Sequence, residues 1–410
     1  MIYHFFLIGF IIIIGFAGNL FFRKTRIPEA LFLITFGLFI GPVSGFFYHA
    51  PLVPVEPFRD ITGLLTTIAL IIILLDSGFD FDIFKIAKTF SKATLFTVIT
   101  FILTTGLVSL FMTKVVGWPV LMALLMGTVS SGTTTVTVSH LIRGLTVKED
   151  VKQLLVLESI INDITIVTGG VIITRVIKAE EMIESAFTVQ DVASMLFGSI
   201  LIALAGGFVF FVIWYKTLGI TKTSPLKFAY TVGMLFIMYD AIEFLEGSGP
   251  IAVLIFSLLV GNSDKLMKRL GVHESVLKMS RTAIRSIKHV LVDVSFLVKT
   301  FFFVLLGILF DPSIVTGDIL LILAGILVFI VIGRYISSRI LALKYPVFSP
   351  YAKVIAVMLP RGFTATVVAF LPGEEGITVP GFTEIVLLMV FVTTLIAIAG
   401  AWMYGRTHPS

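Results

Sequence analysis

The chain has 410 residues, 57% of them hydrophobic and only 13% charged, against about 25% charged in an average soluble domain. With 39 phenylalanines and a mean hydropathy of +1.08, it has too little polar surface to cover a water-soluble core. A string of soluble domains is excluded, and the chain reads as an integral membrane protein. No cysteine is present, which excludes disulfides and Cys-based metal or redox sites. The net charge of +5 points to basic loops on the cytoplasmic side of a membrane rather than to nucleic acid.

A bilayer-crossing helix needs about 20 mainly apolar residues. Thirteen segments qualify, near 2–22, 27–46, 61–77, 91–113, 118–142, 153–177, 191–215, 226–245, 249–262, 288–310, 316–338, 352–372 and 381–404, the ninth being short. The first is expected to be retained, because Arg23, Lys24 and Arg26 follow it and no small-residue cleavage site does. The runs are too long and continuous for barrel strands. The polar stretch 263–287 is basic and amphipathic, suiting either a helix lying along the membrane surface or an extension of the tenth span.

Charge placement orients the bundle. Of the 30 Lys and Arg residues, 24 fall in the connections after odd-numbered spans and in the tail, whereas the opposite side holds only Arg59, Lys114, Arg175 and Lys178, and Lys299 and Arg361 fall inside spans. This bias puts the N-terminus outside and the C-terminus in the cytoplasm. No Gly-rich lysine motif for ATP occurs, so a gradient-driven transporter or a channel is expected rather than an ATP-driven pump.

Ionisable residues inside spans mark function by default. Here they are Asp76, Glu158, Asp163, Asp240, Asp293, Lys299, Arg334 and Arg361, with Asp240 and Asp293 nearer the interfaces. In the sixth span, Ser159, Asn162 and Asp163 stand at i, i+3 and i+4, on one helical face, with Glu158 on a neighbouring stripe. A carboxylate beside an amide and a hydroxyl is an oxygen-ligand set for a hard cation; the bland alternative is a polar helix–helix contact. The fifth span contains the run from Gly127 to Thr135, including Thr133 and Thr134, whose hydroxyls either bond back to their own helix or open it for an ion. In the twelfth, Leu359-Pro360-Arg361-Gly362-Phe363-Thr364 brings Pro and Gly around an arginine. Interrupted spans at corresponding places in two halves are a feature of inverted-repeat transporters, here about residues 1–178 and 223–405. Arg361 needs a buried anion, and Glu158 is the expected partner, leaving Asp163 to exchange its proton.

Glu158-Ser159-x-x-Asn162-Asp163 followed by Pro360-Arg361-Gly362 resembles the NhaP-type sodium/proton antiporters of the cation:proton antiporter superfamily. The resemblance implies an all-α membrane fold of thirteen transmembrane helices, with the fifth and twelfth interrupted. It implies that Asp163 binds cation and proton alternately, assisted by Asn162 and Ser159, and that Glu158 pairs with Arg361. It further implies a second pair, Asp76 with Arg334, and a homodimer. The sequence departs from the family's Thr-Asp-Pro in the fifth helix, where Thr133-Thr134-Thr135 stands and a second carboxylate is missing. Met358 and Ile164 replace the family's usual Glu and Pro, and Lys299, a candidate coupling charge, occupies the tenth helix, where electrogenic relatives keep a lysine against their aspartates.

The expectation is a secondary-active antiporter, not an enzyme, exchanging a monovalent cation (sodium first) for protons at Asp163 by alternating access. A potassium/proton antiporter of the same fold, a cation channel and a non-transporting relative are the alternatives. The partners are then the cation, the proton, the lipid bilayer and a second copy, with no cofactor. The six histidines lack transition-metal spacing, and His140 is either a pH sensor or simply interfacial. A compact chain of this kind suits the plasma (inner) membrane of a prokaryote, with a role in pH homeostasis.

Overall fold

The computed structural model describes residues 2–25, 29–45, 56–80, 86–143, 145–182, 189–218, 226–269, 274–379 and 381–407. Among them every regular element is helical. The helices are α1 (Ile2–Thr25), α2 (Glu29–Leu38, carried on by a wider turn at Phe39–Val43), α3 (Glu56–Asp80), α4 (Ile86–Phe111), α5 (Val120–Ser131) and α6 (Thr135–Arg143). They continue with α7 (Glu149–Met182), α8 (Val189–Leu218), α9 (Lys227–Phe244), α10 (Gly249–Gly261), α11 (Ser263–Arg269) and α12 (Glu274–Leu309). The last four are α13 (Gly317–Lys344), α14 (Ala352–Val357), α15 (Phe363–Glu374) and α16 (Phe382–Thr407).

Among the described residues, eight helices are long and apolar enough to cross a membrane, or nine if α10 and α11, bent by 65°, count as one. The chain is therefore a multi-pass membrane protein. The difference from thirteen expected segments has a local cause. Glu29–Val43, Val120–Ser131 and Phe363–Glu374 are apolar but short, and α9 carries Lys227, Asp240 and Glu243. The basic stretch before the tenth segment divides: Ser263–Arg269 is a separate short helix, and from Glu274 onward it is continuous with α12.

The chain forms two compact units. The first comprises Met1–Thr66, Thr89–Thr174 and Lys299–Ser410. Its core includes Phe96 of α4, Leu141 of α6, Leu154 and Leu155 of α7, Val354 of α14 and Ala397 of α16. The face of α7 explains how a site is placed there. Val151, Leu154 and Leu155 begin a buried stripe at i, i+3 and i+4, and Glu158, Ser159 and Asn162 continue it one and two turns on, equally buried. An apolar packing stripe thus becomes polar in mid-helix without leaving the interior. In the same unit α2 and α12 touch backbone to backbone, since a Cβ on Gly37 would meet the carbonyl of Val304 and one on Gly307 that of Ile34. Small residues give membrane helices this close approach.

The second unit comprises Thr67–Lys88 and Arg175–Val298. Trp214 of α8 is buried there, its indole N–H donating to Thr231 Oγ1 of α9 at 2.9 Å and its ring edge-on to Phe256 of α10. At the chain's bends, Arg175 of α7 reaches Glu243 Oε2 at 2.6 Å and Ser199 Oγ at 3.0 Å, while Glu243 Oε1 accepts the N–H of Gly249 at 2.7 Å.

Candidate functional site

Two helix breaks face each other in the first unit. Helix α5 stops at Ser131 and α6 starts at Thr135; α14 stops at Val357 and α15 starts at Phe363. A break frees carbonyls at one helix's end and N–H groups at the next one's start. The two breaks satisfy one another. Thr134 N donates to Pro360 O at 2.9 Å, and the guanidinium of Arg361 donates to Leu359 O at 2.9 Å and to Ser130 O. The Arg361 backbone N–H is taken by Thr393 Oγ1 of α16 at 3.1 Å. The Thr134 side chain fills the space where Gly362 would carry a Cβ, so a larger residue at 362 collides with it.

The expected pair between Glu158 and Arg361 is corrected by this geometry. Glu158 is clasped by Arg334 of α13, NH1 to Oε1 at 2.5 Å and NH2 to Oε2 at 2.8 Å, with both side chains fully buried. Arg334, expected from the sequence to pair with Asp76 of α3, is bound here by Glu158. Arg361 needs no carboxylate in contact because helix-end carbonyls, which carry partial negative charge, receive it. Glu158 Oε1 also accepts from Asn162 Nδ2 at 2.8 Å and from Thr133 Oγ1 at 3.4 Å. Asn162 Nδ2 donates further to Thr133 Oγ1 at 3.2 Å, and the hydroxyls of Thr133 and Ser159 lie 3.0 Å apart. Both oxygens of this buried carboxylate thus receive charge-assisted hydrogen bonds from the guanidinium.

Asp163 is separately placed. Thr364 Oγ1 donates to its Oδ1 at 2.7 Å and Thr135 Oγ1 to its Oδ2 at 3.2 Å. Thr135 is the first residue of α6 and Thr364 the second of α15, so the half-buried carboxylate sits where two helices begin. The positive ends of both dipoles favour an anion there. Of the residues expected around Asp163, Asn162 and Thr133 donate to Glu158, the i, i+4 spacing bringing Asn162 beside it, while Ser159 bonds Thr133 and Asn162 Oδ1 has no hydrogen-bond partner among the described residues. Lys299 of α12 has its ammonium 5.9 Å from the ring centre of Phe363, the residue before Thr364.

Sequence reasoning passed over Thr135, Thr364 and Glu29. The first two lie inside the runs already singled out, one residue after Thr134 and two after Gly362. Glu29 begins α2, near the start of the second apolar segment, and accepts a hydrogen bond from Asn19 Nδ2 of α1 at 2.9 Å.

The arrangement offers one carboxylate paired with a bidentate arginine and a second that accepts from two threonine hydroxyls where two helices begin. Such a group can trade a proton for a small cation. The profile of the family described as sodium/hydrogen exchanger, transmembrane, matches residues 8–402. Among solved structures, that of the sodium proton antiporter MjNhaP1 from Methanocaldococcus jannaschii at pH 8 is similar, with a TM-score of 0.72 and 19% identity over 98% of this chain and 95% of that one. An electron-microscopy map of the same antiporter gives a TM-score of 0.67 and 18% identity over 100% and 98% of the two chains. At these identities the likeness is one of fold. No curated protein sequence matches the chain.

Proposed function

Because the chain belongs to the sodium/hydrogen exchanger family, we propose that it is a secondary-active antiporter in which a monovalent cation, sodium first, and a proton compete for Asp163. The observation that carries this reading is the division of labour between two carboxylates on one helix. Glu158 is bound on both oxygens by Arg334 and serves as scaffold. Asp163 meets hydroxyls, which can bond to a carboxylate, to a carboxylic acid or to a cation-bound carboxylate alike.

Counting the short apolar helices, α9 and each broken helix as crossings gives thirteen spans, the fifth and twelfth of them broken at residues 132–134 and 358–362. In this reading the N-terminus lies outside and the C-terminus in the cytoplasm of a prokaryotic plasma membrane, and the protein works as a homodimer. Exchange proceeds by alternating access: Asp163 is exposed to one side at a time and changes sides only when it carries a proton or a cation, and motion of one helix set against another moves it. Asp163 gains one positive charge in either loaded form, which favours one-for-one exchange. Lys299 disturbs that count if it releases a proton within the cycle.

The test is purified protein in liposomes under an imposed pH gradient, with sodium, lithium or potassium added in turn. Cation-dependent collapse of the gradient, abolished in Asp163→Asn although that variant still folds, is the expected result, and the ion that works identifies the cargo. Cation-driven proton flux surviving in Asp163→Asn overturns the assignment.

A further inference from the structure

We propose that the hydroxyl oxygens of Thr135 and Thr364 are ligands of the transported cation, replacing a second carboxylate and setting the affinity of the site. The proposal rests on the antiport reading above and deepens it. Each hydroxyl lies within hydrogen-bond reach of a different oxygen of Asp163, at 3.2 Å for Thr135 and 2.7 Å for Thr364. A threonine hydroxyl carries one hydrogen and two lone pairs, and the hydrogen rotates freely. With the carboxylate bare, the hydroxyl donates to it. With a cation at the carboxylate, the same oxygen turns a lone pair toward the ion without moving. Hard cations take oxygen ligands of this kind.

The neighbouring hydroxyls of Thr133 and Ser159 bond to each other, and Thr133 and the Asn162 Nδ2 bond to Glu158; Asn162 Oδ1 is buried without a hydrogen-bond partner among the described residues. Thr134, at the position where the family resemblance leads one to expect a carboxylate, packs against Gly362 and donates its N–H to Pro360. Thr135 and Thr364 therefore supply the side-chain oxygens that face Asp163 from the two breaks.

They are also held in place. The breaks that launch α6 and α15 are joined by the Thr134–Pro360 and Arg361–Ser130 hydrogen bonds, so the two hydroxyls come from coupled helix starts. A site built on such elements loses little freedom when it closes on an ion. One carboxylate among neutral hydroxyl oxygens carries the single negative charge that a monovalent cation balances.

The experiment measures initial exchange rates of the full chain in liposomes against sodium, lithium and potassium concentration at fixed pH. Thr364→Val is expected to raise the half-saturating cation concentration on the order of tenfold, the loss of one bond to a charged partner, with the maximal rate kept. Thr364→Ser is expected to restore half-saturation to within about twofold, and Thr135→Val, whose bond is longer, to raise it about threefold. Cation-induced thermal stabilisation of the purified protein, a readout that needs no turnover, should shrink in parallel in both valine variants. Unchanged half-saturation, or a fall in maximal rate alone that serine fails to rescue, overturns the proposal. If Thr364→Val does not fold, Thr364→Ser and Thr135→Val decide it by the same criteria. Wild-type behaviour of the valine variants beside an inactive Asp163→Asn sinks this inference alone; an active Asp163→Asn sinks the antiport reading itself.

Discussion

The ion pair of Glu158 with Arg334 and that of Arg175 with Glu243 are made of the same chemical groups in different surroundings. The first is entirely enclosed, with both carboxylate oxygens bound and Asn162 and Thr133 adding donors. The second, in the other unit, keeps 23% and 33% of its side chains exposed. It draws in Ser199, the carbonyl of Glu246 and the N–H of Gly249, and so ties together the ends of several helices. Charges enclosed in protein have no water to fall back on, so every lone pair must be met from within. Where water reaches the pair, a lost partner is replaced by solvent, and the contribution of the pair shrinks.

The largest expected effect breaks the enclosed pair. Glu158→Ala or Arg334→Ala leaves one buried charge without its partner, at a cost of about 3–5 kcal/mol, read as a large drop in unfolding temperature in detergent. Replacing both partners by methionine should recover much of that loss, since no bare charge then remains. A double variant as unstable as the singles would show that the polar cluster, and not the charge, holds these helices.

Gly362→Ala comes next. Its Cβ would overlap the Thr134 side chain, forcing the two breaks apart at a cost of about 1–3 kcal/mol. Melting at the wild-type temperature would contradict the close approach. The smallest effect belongs to the partly exposed clamp: Arg175→Ala should cost about 1 kcal/mol or less, with the difference from wild type narrowing at high salt. If Arg175→Ala destabilised the protein as much as Arg334→Ala, enclosure would not be what separates the two pairs.

Much of this site could be read along the chain. Asp163 and Glu158 stood out because carboxylates inside an apolar run are costly, and the Gly-Thr and Pro-Arg-Gly runs coincide with the places where α5 and α14 end. The partner of Glu158 could not be read in the same way. Arg334 and Arg361 both lie in apolar surroundings, and linear spacing ranks neither above the other. Thr135 and Thr364 were equally hidden, since a threonine in a membrane helix ordinarily bonds back to its own turn, as Thr97, Thr165 and Thr366 do here.

Membrane residence, helical structure and the presence of a polar centre follow from properties each segment carries by itself: apolar length, helical period and the cost of a charge in lipid. Which guanidinium meets which carboxylate depends on how α13 and the second break pack on α7. Once Ser130 and Leu359 offer their carbonyls to Arg361, Arg334 takes Glu158, and Asp163 comes to rest against two hydroxyls. Hydrogen bonds act over about 3 Å, and only the folded chain brings groups this distant in sequence within that range.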